Sequence, residues 1–77
     1  MTRSLYDRRY DRFRVLLIQA RQAKSVTQQE VAKRLRRPQS FVSKYERGER
    51  RLDVIEFLEV SDAIGIDAGQ LLQGLRH

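Results

Sequence analysis

The segment that most constrains the fold is residues 27–48, TQQEVAKRLRRPQSFVSKYERG, where the only proline of the chain separates two short segments with helical apolar spacing. Proline fixes its own φ, lacks an N–H group and suits the first turn of a helix. The segment therefore predicts one helix that ends before Pro38 and a second that begins there. Thr27 and Glu30 can form a capping box for the first helix, and Gly48 can end the second.

The rest of the sequence also has the apolar spacing of helices and lacks the alternation of strands. Before the segment, the pattern predicts one long helix with a capping box formed by Ser4 and Asp7. Its apolar stripe consists of Tyr6, Tyr10, Phe13, Leu17 and Ala20. After the segment, Asp53 and Asp67 are placed to cap a fourth and a fifth helix. The predicted fold is all-α, a compact domain of five helices with an extended first helix.

The fourth and fifth helices each have apolar residues at helical spacing. Those predicted to form the core side of the fourth helix are Ile55, Phe57, Leu58, Ala63 and Ile64. Those of the fifth helix are Leu71, Leu72 and Leu75. The three leucines either close the core or contribute to an interface between two copies of the chain, together with Tyr6 and Tyr10.

The net charge of +6 is unevenly distributed along the chain. Residues 1–51 contain 15 Lys and Arg against five Asp and Glu, which gives 15 − 5 = +10. Residues 52–77 contain one Arg against five acids, which gives 1 − 5 = −4. A chain polarised in this way presents its first part to a polyanion. Nucleic acid is favoured over a membrane, because the basic part mixes Arg with Gln and offers few large apolar residues for insertion.

The composition disfavours several classes of function. The chain has no cysteine, and its single histidine, His77, lies at the C-terminus. The acidic residues therefore lack partners for a metal site or a catalytic pair, and no glycine-rich loop is present to hold a phosphate. We expect no enzyme activity, no metal and no cofactor. The longest apolar run, residues 15–18, is too short for a membrane span, so a cytoplasmic protein is expected.

Small polar residues are gathered at the start of the second helix of the segment. Two short helices joined by a tight turn, with polar residues at the start of the second, form the helix-turn-helix pattern for the DNA major groove. Gln39 can make two hydrogen bonds to adenine, and Lys44 can reach guanine or a phosphate. Ser40 and Ser43 are short enough to let the helix enter the groove deeply. These four residues are the predicted base contacts.

Residues 14–66 resemble the helix-turn-helix domains of Cro and lambda repressor, in the XRE (xenobiotic-response-element-like) family of phage and bacterial regulators. The matching stretches are TQQEVAKRL, PQSFVSKYERG and LDVIEFLEVSDAIGID. The resemblance implies a lambda-repressor-like fold, double-stranded DNA as the partner, and helix 38–47 as the one that enters the major groove. Residues 1–13 lie outside it and are predicted to be a helical extension of a DNA-binding domain formed by residues 14–77.

The resemblance also implies roles for single residues. Gln28 matches a glutamine that binds a phosphate and braces the first side chain of the recognition helix. Arg21 and Glu46 match an ion pair that holds this helix against the first. The predicted phosphate contacts are Thr27, Gln28, Arg37, Phe41, Arg47, Arg50 and Arg51. For Phe41 the alternative is burial against the preceding helix.

Two positions depart from the family pattern. Arg36 stands where the turn usually has a glycine with positive φ, and Pro38 stands where a serine often caps the next helix. A non-glycine residue with positive φ costs about 1 kcal/mol or more. Either the turn is reshaped around these residues, or the strain is accepted and adds cations beside the DNA.

The extension allows two interpretations. Its arginines form an arm toward phosphates or the minor groove, or they belong to a charged helix face. These residues are Arg3, Arg8, Arg9 and Arg12. The four-residue spacing of Arg8 and Arg12 favours the helix face.

The predicted function is regulation of transcription, as a repressor of the Cro/C1 type that binds a palindromic operator as a homodimer. One helix offers few base contacts, whereas two helices related by a two-fold axis reach half-sites about 34 to 36 Å apart. Two alternatives remain. In one, the chain is an antitoxin or a restriction-modification controller that also binds a protein partner. In the other, it is a protein-interaction module that does not bind DNA.

Overall fold

The computed structural model describes residues 7–76, and within this range the chain has five α-helices and no strand. The helices are α1 (Arg8–Ala23), α2 (Gln28–Leu35), α3 (Gln39–Arg47), α4 (Val54–Ile64) and α5 (Ala68–Gln73). The prediction of an all-α fold with five helices is confirmed. Four residues that entered the sequence predictions lie outside the described residues: Arg3, Ser4, Tyr6 and His77.

The first helix starts from Asp7, which is the N-cap of α1. Its carboxylate accepts hydrogen bonds from the backbone N–H groups of Arg9 (3.0 Å) and Tyr10 (3.2 Å). Phe13 and Leu17 are buried, and Tyr10 packs against the core from a half-buried position. The boundary predicted after residue 13 therefore falls inside a continuous helix, and Phe13 is a core residue.

The turn between α2 and α3 contains a strained residue. Arg36 has φ 58° and ψ 43°, the left-handed conformation that is costly for any residue with a Cβ. The backbone N–H groups of Arg36 and Arg37 close the last turn of α2 by bonding to its carbonyl groups at 3.1 and 3.0 Å. Pro38 is the N-cap of α3, with φ −62° and ψ 151°. The strain is thus accepted, and α3 begins at Gln39, one residue later than predicted.

The core lies where α3 packs on α1 and α2, and where α4 packs on α2 and α5. Its buried apolar residues are Phe13, Leu17, Val26, Val31, Ala32, Phe41, Val42, Tyr45, Phe57, Val60, Ala63 and Ile64. Burial of this apolar surface is the main favourable term in the folding free energy. Because α1 and α2 hold the inner side of α3, its outer side is turned away from the core.

The core side predicted for α4 is partly wrong. Its buried residues are Phe57, Val60, Ser61, Ala63 and Ile64. Ile55 and Leu58, which were predicted to face the core, are 63% and 45% exposed. Both sets have helical spacing along the same helix, so periodicity alone cannot decide which one is buried. The packing of α2 and α5 against α4 decides it.

The three leucines of the C-terminal part divide between two environments. Leu71 and Leu75 pack against the core, whereas Leu72 is 43% exposed. Val54, at the start of α4, is 71% exposed, and it lines the same surface groove as Leu72. We call the set Val54, Ile55, Leu58 and Leu72 the α4–α5 apolar patch.

The side-chain hydroxyl group of Tyr45 is buried in the core. The residue is 1% exposed, and its hydroxyl has no hydrogen-bond partner among residues 7–76. Burial, together with the nearby charge of Glu46, raises the pKa of this hydroxyl far above its ordinary value. A buried polar group without a partner costs about 1 to 3 kcal/mol.

We expect Tyr45→Phe to raise the free energy of unfolding by about 1 kcal/mol in a urea titration. A decrease of that size would contradict an unpaired hydroxyl.

Candidate nucleic-acid interface

The four predicted base contacts lie together on the outer side of α3. Gln39, Ser40 and Lys44 are exposed, and Ser43 is half-buried. The opposite side of the helix is buried through Phe41, Val42, Tyr45 and Glu46. Positions one, four and five residues apart share one side of an α-helix, which brings the four polar side chains together. This side is polar, and a major groove is wide enough to admit one α-helix.

A buried carboxylate anchors α3 to the two preceding helices. Glu46 is 6% exposed, and its oxygens accept hydrogen bonds from Arg21 Nε (2.7 Å) and the Arg21 terminal NH2 group (3.2 Å). Arg21 also donates to the carbonyl oxygen of Val26 at 2.9 Å. The ion pair implied by the resemblance is present, bidentate and nearly buried. Loss of one partner would leave the other buried and unpaired, which is the costly case for an ion pair.

Gln28 connects this ion pair to the outer side of α3. Its Nε2 donates to Glu46 Oε1 at 2.8 Å, and its Oε1 accepts from Gln39 Nε2 at 3.4 Å. The second distance is long for a hydrogen bond, so this contact orients Gln39 without holding it rigidly. A continuous polar path therefore runs from the buried ion pair to the first side chain of α3.

The C-terminal end of α3 is held by Arg14, a residue that no sequence motif indicated. Its guanidinium donates to the carbonyl oxygen of Glu46 and pairs with the carboxylate of Asp11 at 3.1 Å. A cation is favourable at this end of a helix because the carbonyl groups point toward it. Gly48 ends α3 with φ 83°, and a Cβ at this position would lie 3.0 Å from Arg14 Nε. Only the crossing of α1 over α3 brings these groups together, and the sequence does not show that crossing.

Phe41 is a core residue, so the predicted contact between Phe41 and the DNA backbone has to be corrected. The residue is 8% exposed, and its ring meets the Tyr45 ring edge-on with the centroids 5.6 Å apart. An aromatic pair in this arrangement stabilises the core beyond the area that it buries. Burial, the alternative considered for Phe41, is what the structure shows.

Two of the predicted phosphate contacts lie over the Phe41 ring. The Cζ atoms of Arg37 and Arg50 are 4.4 and 4.9 Å from the ring centroid. Both arginines also contact Glu56 in the first turn of α4. The Arg50 guanidinium and the Asp53 backbone N–H lower the pKa of the Glu56 carboxyl to about 2, so the carboxylate is ionised at neutral pH.

Glu56 was not among the site residues predicted from the sequence. The residue lies three positions after the Asp53 N-cap, and the two form a reciprocal capping box. That spacing was the one available signal, because a Glu at this position is typical of a helix start. Its contacts with Arg37 and Arg50 depend on where the packing of α4 against α2 places the first turn of α4, which no local pattern shows.

Arg47 and Arg51, also predicted to contact phosphates, each have partners within the chain. Arg47 pairs with Glu49 at 2.9 Å, and both side chains are more than half exposed. The Cζ atom of Arg51 lies 4.2 Å from the centroid of the Tyr10 ring, and its guanidinium is 4.0 Å from the Asp7 carboxylate. Exposed pairs of this kind open at little cost, so their contacts with phosphates remain predictions.

The Thr27 hydroxyl is used by the capping box of α2. Its Oγ1 accepts from the Glu30 backbone N–H at 3.0 Å and donates to Glu30 Oε1 at 3.1 Å. The Thr27 backbone N–H, which donates to Glu30 Oε1 at 2.9 Å, and the Thr27 hydroxyl both lower the pKa of the Glu30 carboxyl. Thr27 is nevertheless exposed at the start of a helix, where N–H groups favour anions, and its phosphate contact stays a prediction.

Within residues 7–76, no group of His, Asp or Glu is arranged to hold a metal ion. The helices of that range are all too short or too polar to cross a membrane.

Comparison with known proteins agrees with this geometry. A family model described as helix-turn-helix matches residues 17–71. Among solved structures, the chain is similar to an XRE-family like protein from Pseudomonas syringae pv. tomato str. DC3000, with 55% sequence identity and a TM-score of 0.84. The alignment covers 87% of this chain and 82% of that chain. No curated protein matches the chain.

The ion pair between Arg21 and Glu46 is expected to couple the two residues energetically. A double-mutant cycle with Arg21→Met and Glu46→Gln should give a coupling energy of about 1 to 3 kcal/mol, because each single substitution leaves a buried group unpaired. The free energies of unfolding come from urea titrations of the four proteins.

The exposed pair Arg47 and Glu49 provides the matched control for this cycle, because Arg47 lies on the same helix as Glu46. Its coupling energy should stay below about 1 kcal/mol. Equal coupling energies in the two cycles would show that burial of the Arg21–Glu46 pair has no effect on its strength.

Proposed function

The chain belongs to the XRE family of helix-turn-helix proteins, a family of DNA-binding regulators of transcription, and we propose that it is a repressor that binds a palindromic operator as a homodimer through α3. The observation on which the proposal rests is the outer side of α3. Four short or flexible polar side chains are open there, while the buried Glu46 fixes the helix behind them.

In this proposal, Gln39 reads adenine through its amide, and Lys44 contacts guanine or a phosphate one turn further along α3. Ser40 and Ser43 contact base edges at close approach. Backbone contacts set the register of the helix on the duplex without reading the sequence. They are assigned to Thr27, Gln28, Arg37, Arg47, Arg50 and Arg51.

The α4–α5 apolar patch supports the homodimer. Four of the five large apolar side chains that are exposed in residues 7–76 belong to it, and the fifth is Val15 on α1. Neighbouring apolar residues of this kind mark protein–protein contacts more often than isolated ones do. The patch lies on α4 and α5 and includes no residue of α3, so two copies can associate through it while both recognition helices stay open. A controller or antitoxin that binds a second protein would use the same patch.

Selection from a random duplex pool, followed by a salt titration, tests DNA binding. We expect a palindromic consensus, and we expect log affinity to fall by about 0.9 per decade of salt for each phosphate neutralised. Gln39→Ala should weaken binding to the selected duplex roughly 10- to 100-fold, because one bidentate base contact is lost. Binding to an unrelated duplex should not change.

Gln22→Ala is the matched control, because Gln22 is exposed on α1 and away from α3. This variant should bind the selected duplex like the original chain. Weak binding that depends on neither the duplex sequence nor Gln39 would favour the protein-interaction module and contradict the proposal.

Sedimentation equilibrium tests the dimer. Leu58→Glu places a charge in the middle of the patch and should shift the chain from dimer to monomer, because a charge without a partner is costly to bury. Val15→Glu is the control, since Val15 and Leu58 are both 45% exposed. A monomeric original chain, or a dimer that neither substitution affects, would contradict association through the patch.

A further inference from the structure

Glu56 is the centre of a side-chain cluster that joins the two ends of α3 to α4. Its two oxygens accept hydrogen bonds from Arg50 at 3.0 and 2.8 Å, in a bidentate arrangement. The same carboxylate is 3.8 Å from a terminal nitrogen of Arg37 and accepts the Asp53 backbone N–H at 3.0 Å. Arg37 precedes α3 and Arg50 follows it, so one carboxylate in α4 determines where both side chains lie.

The Phe41 ring forms the floor of this cluster. Both guanidinium groups lie within 5 Å of its centroid, at 4.4 and 4.9 Å, while Phe41 itself is 8% exposed. A planar guanidinium is favourable over the face of an aromatic ring. The ring and the carboxylate together restrict two side chains that are otherwise among the most flexible in proteins.

The cluster has more positive charge than its own stability requires. One arginine is enough to neutralise Glu56, and Arg50 already makes the bidentate pair. Arg37 is a second cation near the first, and two cations at such a site repel each other. Glu56 is 12% exposed, whereas the Arg37 and Arg50 side chains are each 41% exposed. The half-buried anion thus holds two outward-facing cations with a net charge of +1.

We infer that Glu56 is a positioning residue that holds Arg37 and Arg50 on the Phe41 ring as a two-arginine clamp for one DNA phosphate beside the N-terminal end of α3. The inference rests on the proposed function. It names which of the predicted phosphate contacts act together, and it adds a residue that does not itself touch the DNA.

A phosphate is the ligand that this arrangement fits. Arginine presents five N–H donors in one plane, so Arg50 keeps donors for a phosphate after two of them have bonded Glu56. Arginines held in place before binding lose little side-chain freedom when the DNA arrives, so their contacts contribute to the bound state and not to the cost of ordering. A fixed clamp also favours the duplex register in which a phosphate meets it, which flexible cations do not.

Glu56→Gln tests the inference in the full chain. The substitution removes the charge that holds the arginines, and a glutamine can still serve in the capping box with Asp53. Glu59→Gln is the matched control, because it changes the net charge by the same amount on the same helix, and the exposed Glu59 forms no ion pair within residues 7–76. Circular dichroism should show the same helix content in both variants.

Two measurements of DNA binding then distinguish a phosphate clamp from a role of Glu56 in the stability of the fold alone. The first is the ratio of affinities for the operator selected with the original chain and for an unrelated duplex. We expect this ratio to fall on the order of tenfold in Glu56→Gln, because freed arginines strengthen binding to any duplex and no longer favour one register. It should stay within about twofold in Glu59→Gln.

The second measurement is interference by phosphate ethylation. In the original chain, ethylation of one phosphate per half-site should block binding through the clamp. That interference should disappear in Glu56→Gln and in Arg50→Lys, which retains the charge and removes the planar bidentate group. Interference at the other phosphates should remain. A merely structural change would instead weaken all phosphate contacts alike.

An unchanged affinity ratio in Glu56→Gln, or an equal loss of interference at every phosphate, would overturn the inference. If Glu56→Gln does not fold, Arg50→Lys alone decides it by the same interference result. A chain that selects no duplex would refute the proposed function, and the inference with it. Selective binding with an unaltered ratio would refute the inference alone.

Discussion

The position of α3 depends on the buried carboxylate of Glu46. Apolar packing of Val42 and Tyr45 draws the helix onto the core, but apolar contacts have little directional preference. The hydrogen bonds from Arg21 and Gln28 are directional, and they approach the carboxylate from two different helices. Rotation of α3 about its own axis would break them and leave a buried charge unpaired. The side of the helix that faces outward is therefore set by polar contacts on the side that faces inward.

At two positions in or beside α3, an acidic residue holds an arginine side chain in place. Glu46 holds Arg21, and Glu56 holds Arg50 with Arg37 near it. Each acid reduces the total positive charge of the basic region, yet each one also fixes the direction in which a guanidinium points. Glu46 is already counted in the net charge of residues 1–51, whereas Glu56 lies outside that range and lowers the positive charge beside α3 further while it fixes the Arg50 guanidinium. Cations in fixed positions favour one register on a DNA duplex, which a larger number of mobile cations does not.

The local signals in the sequence were sufficient for the elements and for the outer side of α3. Capping residues such as Thr27 and Asp53, and glycines such as Gly48, mark helix ends through contacts between near neighbours, so the helices were predictable within one or two residues. Residues that depend on packing between helices were not. The exposure of Ile55 and the burial of Phe41 follow from which helices meet, and two apolar stripes on one helix look alike in the sequence.

Long-range polar contacts divide in the same way. The residues Arg21 and Glu46 are 25 positions apart, so no local pattern indicates their ion pair. The pair was predictable only because the family resemblance implied it. Arg14, which contacts the end of α3 across 32 positions, had no such guide. Glu56 was recognisable as part of a capping box, but its contacts with Arg37 and Arg50 come from the placement of α4.

The left-handed backbone at Arg36 has a consequence for how this protein can vary. Glycine would relieve the strain at that position but would remove a positive charge at the tip of the turn, whereas any β-branched residue would both keep the strain and remove the charge. Thermal tolerance and attraction to a polyanion thus oppose each other at a single residue that takes no part in the core. Related chains can adjust one against the other there without altering the side chains that are proposed to read the bases.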